Sequence, residues 1–148
     1  MTIMRTDATM HQTPKAEPAL SQKGSVLVEF ALILPLFLTL LFGVVTFSIA
    51  LYDKTVLTMA TREGARAGAK YVASPTNASI KSLATTAVNN TCNNNLISFG
   101  TAMTPTITFN ADPVGDNQLT VKASVNYTGL YIFSGLSISA QSTMRIEQ

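Results

Sequence analysis

From Phe30 to Tyr52 the chain runs 23 residues with only Thr39, Gly43, Thr46 and Ser48 as small or weakly polar breaks. Wound as a helix, such a run is about 35 Å long, enough to cross a hydrocarbon core of about 30 Å. A buried core helix is the blander alternative, but a small domain rarely needs so long an unbroken apolar stretch. A secretory signal is the other. "SIA" at Ser48 to Ala50 has small residues at cleavage-site spacing, yet the apolar part of such a signal is only about 7–15 residues long. The pattern therefore predicts a membrane span.

The helical period continues past the apolar run. Tyr52, Val56, Met59, Ala60, Ala67 and Tyr71 fall near one face, and Lys54, Thr58, Arg62, Arg66 and Lys70 recur every four residues on another. Pro75 biases the residue before it away from the α region, so one long helix is expected over about 25–72. A short second helix follows, capped by Asn77 or Ser79, with Ile80, Leu83, Ala84, Ala87 and Val88 as its apolar stripe. The polar run "NNTCNNN" from Asn89 ends it.

Beyond Ala102 the period becomes two. Ile107, Phe109 and Ala111 alternate with polar residues, as do Leu119 to Tyr127 and Leu136 to Ile146. One dry face and one wet face is the antiparallel signature. The expected fold class is α+β: a long N-terminal helix with a transmembrane half and an amphipathic half, a short second helix, and a three-stranded antiparallel sheet. The expected segments are a leader at 1–24, a span at 25–52, its amphipathic extension at 53–73, and a small α+β domain at 74–148.

Composition narrows the chemistry. Charged residues make up 12% of the chain and the formal net charge is +2, without the basic, aromatic-interleaved surface that nucleic acid would need. Cys92 is the single cysteine, so no internal disulfide can form, and His11, the single histidine, lies in the polar leader. No nucleophile–base pair, cofactor loop or metal-ligand spacing is present. An enzyme is therefore not expected, and neither a cofactor nor a metal site is assigned.

The chemistry lies instead at the start of the helix. "G-S-V-L-V-E-F" places Gly24, then Ser25, then Glu29 and Phe30 at the head of the apolar run. This resembles the processing site of type IV pilin-like precursors, in which a membrane-embedded peptidase cuts after the glycine. Pro35 within the span, Gly43, "ALYD" ending at Asp53 and "REGARAGA" at Arg62 to Ala69 narrow the likeness. The chain from about 23 to 147 resembles the TadE/TadF family of minor pseudopilins from tight-adherence (Flp-type) pilus systems, and the "REGARAG" block leans toward the E type.

That resemblance implies a non-catalytic assembly component, cut by a prepilin peptidase between Gly24 and Ser25. It implies other pilin-like subunits, pilus assembly proteins and the lipid bilayer as partners. It also implies a single pass through the bacterial inner membrane, with the N-terminus cytoplasmic, the C-terminal domain periplasmic, and an extracellular place in the pilus after assembly. The Lys/Arg counts on the two sides of the span do not decide the orientation. An unpaired charge inside a bilayer costs a few kcal/mol or more, so Glu29 either sits at the lipid headgroup level without a partner or takes a counter-charge. The new amine at residue 25 of a neighbouring subunit would supply one and set the axial register. Phe30, Pro35, Gly43 and Leu51 mark the span. Ala60, Gly64, Gly68 and Tyr71 mark a close-packing face, either for the chain's own sheet or for a partner helix. The apolar "LYIF" at 130–133 is a further candidate contact. The alternative function is an uncleaved, membrane-anchored periplasmic binding or sensing module.

Overall fold

The computed structural model describes residues 20–70, 74–128 and 134–147. Tyr71 and the "LYIF" stretch lie outside the described residues. The chain packs as two units, Met1–Leu38 and Thr39–Gln148. The elements are helices α1 (Leu20–Ala69) and α2 (Asn77–Cys92) and strands β1 (Thr106–Phe109), β2 (Gln118–Thr128) and β3 (Ser134–Arg145). The α+β class, with one long helix, one short helix and three antiparallel strands, is the one the periodicity predicts.

The long helix begins at Leu20 rather than Ser25 and ends at Ala69 rather than Val72. Its end has a local cause. The carbonyl of Ala69 accepts from the Glu147 N–H at 3.0 Å, which occupies one of the C-terminal acceptors that a helix leaves open. Pro35 is carried within α1, as spans tolerate.

In the first unit, every side chain described from Gly24 to Leu38 is exposed. In the second, α1 buries one face: Thr46, Ala50, Asp53, Leu57, Ala60, Thr61, Gly64, Ala65, Gly68 and Ala69. The expected face is therefore rotated. Val56 and Ala60 are buried as anticipated, but Tyr52 and Met59 are 46% and 59% exposed. The covering elements approach too closely for large residues, so these turn outward and small ones line the contact.

Helix α2 starts at a capping box. Thr76 Oγ1 accepts from the Ser79 N–H at 3.2 Å, and Ser79 Oγ accepts from the Thr76 N–H at 3.1 Å. The N-cap is thus Thr76 rather than Asn77 or Ser79. Its buried stripe is Ile80, Ala84, Val88 and Cys92, a strict four-residue spacing. Leu83, expected in that stripe, is 45% exposed, because α2 meets α1 along a narrow seam. The helix also takes in the first four residues of "NNTCNNN" before ending.

The sheet has the order β1-β2-β3, with Ile107 opposite Ala123, Val125 opposite Ile138 and Leu119 opposite Met144. Leu119, Val121, Ala123, Val125 and Tyr127 of β2 all face the core. On β3, Ile138 and Ala140 are buried, but Leu136, expected to point inward, stays 45% exposed. The cover thins at that end of the sheet, since α2 covers the other. Strand β2 runs antiparallel to α1: a Cβ at Gly68 would meet Leu119 and one at Gly64 would meet Val121, while the Tyr127 hydroxyl donates to the Thr46 carbonyl at 3.3 Å.

Candidate functional site: the small-residue helix and its apolar head

Four residues carry the proposed processing chemistry, and one helix presents them all. Gly24, Ser25, Glu29 and Phe30 are exposed on α1. Ser25 and Glu29 stand four positions apart, one helical turn, on the same face. A Cβ built on Gly24 meets nothing within 4 Å, so no packing among the described residues requires glycine there. Pro35 and Gly43 lie further along the same helix. Gly43, like Gly24, has open space where a Cβ would stand. Around them Val26, Leu32, Leu36 and Leu40 are 64–74% exposed. Water-soluble monomers rarely show an apolar surface so continuous. Among the described residues α1 is the one helix long and apolar enough to cross a membrane, which is consistent with membrane anchoring.

Gly64 and Gly68 are in the opposite situation. A Cβ on Gly64 would lie 2.5 Å from Val88 Cγ2 and 3.1 Å from the Ala84 carbonyl oxygen. On Gly68 it would lie 2.5 Å from Leu119 Cδ2 and 3.0 Å from the Ile80 carbonyl oxygen. Both glycines are thus covered by the backbone of α2 and by β2 side chains of their own chain. Ala60 is fully buried in the same seam. The spacing had suggested the sheet as the close neighbour; the nearer backbone is that of α2.

One buried group escaped the sequence reading. Asp53 ends the "ALYD" stretch, where it passes for the polar end of the apolar run. Its side chain is fully buried. Oδ1 accepts from the Ile97 N–H at 2.9 Å, and Oδ2 has no partner among the described residues. Lying just past the span, it has its pKa raised by burial, which outweighs the lowering by the Ile97 N–H. Its position seven residues after Thr46, on the buried face, was the available signal. A second polar joint ties α2 to the β1–β2 turn. Asn77 Nδ2 donates to Asp112 Oδ1 at 2.8 Å, and Asn77 Oδ1 accepts from the Val114 N–H at 3.0 Å. Asp112 also accepts from the Gly115 N–H at 2.9 Å, and that bond chiefly lowers its pKa.

Among the described residues no group of three or more His, Cys, Asp or Glu could hold a metal ion. Cys92 is free and buried, and burial pushes its thiol pKa up, the reverse of an activated nucleophile.

Within the second unit, the later part of α1 packs with α2 and the three-stranded sheet. Residues 24–66 match the family model described as TadE-like protein. The match begins at Gly24 and takes in Glu29, the apolar run and Gly64. Comparison with curated proteins and with solved structures gives no match.

Proposed function

We propose that this chain is a minor pseudopilin, a non-catalytic structural and assembly component of a bacterial Flp-type (tight-adherence) pilus. The observation that carries the reading is the TadE-like match starting at Gly24, on a helix whose apolar residues are bare. In this reading a prepilin peptidase cuts between Gly24 and Ser25, and the apolar helix holds the protein in the inner membrane with the head on the periplasmic side. The helix then stacks against other pilin-like subunits.

The residues divide the work. Gly24 gives the peptidase an unshielded backbone. The bond to be cut lies within the first turns of α1, so those turns must unwind to present it. Glycine lowers that barrier, since it is about 1 kcal/mol less favourable than alanine inside a helix. Glu29 meets the amine that cleavage creates on a neighbour, which offsets the few kcal/mol an unpaired charge would cost in lipid. Gly64 and Gly68 act inside the chain, letting α2 and the sheet pack closely on the later turns of α1.

N-terminal determination in cells with and without the peptidase tests the reading. A mature start at Ser25 that depends on the peptidase is expected, and Gly24→Leu should abolish it. An intact chain that still supports piliation would replace the reading with an uncleaved membrane-anchored module. Glu29→Ala should be cut normally yet assemble poorly.

A further inference from the structure

Tyr127 donates to the Thr46 carbonyl, and Thr46 lies six positions before Tyr52, the end of the apolar run. Along a helix that is about 9 Å. The end of the sheet is therefore level with the apolar run itself and not with the polar turns beyond it. At that level Phe47 and Leu51 of α1 are 57% and 53% exposed, and Leu136 of β3 is 45% exposed. These three line one shallow groove together with Ile138, Lys54 and Ser139. The groove is apolar on the side toward lower numbers on α1. On the other side Lys54 Nζ donates to the Ser139 carbonyl, and an ammonium has two further donors to offer.

We propose that this end of the head rests in the bilayer surface, with Leu136 immersed beside Phe47 and Leu51 and the Lys54 ammonium at the level of the lipid phosphates. The occupant of the groove is phospholipid. Two features argue for lipid over a protein partner. The patch is continuous with the apolar run that α1 carries into the membrane, so any surface beside Phe47 meets the same solvent as Phe47. The order of the groove, apolar first and cationic next, is also that of a bilayer crossed from hydrocarbon to phosphate. The inference rests on the reading of α1 as a membrane span and adds to it the depth at which the sheet sits.

The test uses the full chain in phosphatidylcholine vesicles with brominated acyl chains, which quench a nearby fluorophore. In a Cys92→Ala background, a small environment-sensitive label is placed in turn at Leu36→Cys in the span, Leu136→Cys in the groove and Glu147→Cys at the far end of the sheet. Ser137→Cys replaces the second site if Leu136→Cys does not fold. Loss of emission at the first two sites, with none at Glu147→Cys, is the expected result. Quenching at Leu36→Cys alone overturns the inference and leaves the membrane span standing. No quenching at Leu36→Cys removes the span and the inference with it. Quenching at all three sites shows a head lying flat on lipid, which also overturns the proposal. A groove label that ignores bromine but responds to the protein-to-lipid ratio shows a second copy covering the patch, and overturns it too.

Discussion

Gly64→Ala adds one carbon where Val88 Cγ2 would lie 2.5 Å away and the Ala84 carbonyl oxygen 3.1 Å away. Neither neighbour yields easily. Valine in a helix keeps one strongly preferred rotamer, and the carbonyl moves only if α2 moves. Overpacking of this kind costs about 1–3 kcal/mol. Alanine returns about 1 kcal/mol of helix propensity over glycine, so the net loss should be at most about 2 kcal/mol. A double-mutant cycle separates the two effects. Val88→Ala removes the clashing methyl, and the carbon added at position 64 then fills part of the space left behind. The pair should therefore be coupled by about 0.5–3 kcal/mol in the favourable direction. The assay is denaturant unfolding of the full chain in detergent. Near-ultraviolet circular dichroism would follow the tyrosines, since the chain has no tryptophan and Tyr127 is fully buried. Additive single and double effects, or a Gly64→Ala variant stabilised by the full propensity gain, would refute the close seam between α1 and α2.

Three further outcomes are expected in the same assay. Thr76→Ala removes the half of the capping box made by the Thr76 hydroxyl, keeps the bond from the residue 76 N–H to Ser79 Oγ, and should cost about 1 kcal/mol, whereas Thr86→Ala, on the exposed side of α2, should cost less. Asp53 has a folded pKa raised above its ordinary 3.8, so its contribution is fully present below that value and is lost as pH rises through the raised one; Asp53→Asn should flatten this decline. Asp112 has a lowered pKa, so its contribution is present above 3.8 and is lost as pH falls through the lowered value; Asp112→Asn should flatten the acid limb of the stability profile.

What the sequence revealed follows from how far each signal reaches. The apolar run and the period-two strands are properties of consecutive residues, and both appear as elements of the fold, with Leu136 and Ala111 the departures from the expected inward rows. The inward row of β2, from Leu119 to Tyr127, is the clearest case. The face of α1 was misjudged because size was taken as a guide to burial. Tyr52 and Met59 are large and exposed, while Gly64 and Gly68 are bare and buried. Close backbone approach inverts the usual rule, and only the three-dimensional position of α2 shows it. Leu83 failed for the same reason. Asp53 left only its spacing from Thr46 as a signal, because its partner, the Ile97 N–H, is 44 positions away. At the proposed processing site, Gly24, Ser25, Glu29 and Phe30 were legible as a motif. The fold adds that they stand exposed on one helix, with space around Gly24 that no other described residue fills.

Among the described residues strand β3 forms one edge of the sheet, and it is twelve residues long. A long uncovered margin of that kind invites a foreign strand to pair with it and seed aggregates. The Lys54 side chain arches from the helix to the Ser139 carbonyl, in the first half of that margin, and so occupies an acceptor such an intruder would need. A neutral, shorter residue at position 54 would leave the head folded but unguarded. The defect would show as precipitation during overexpression and not as a lower unfolding midpoint.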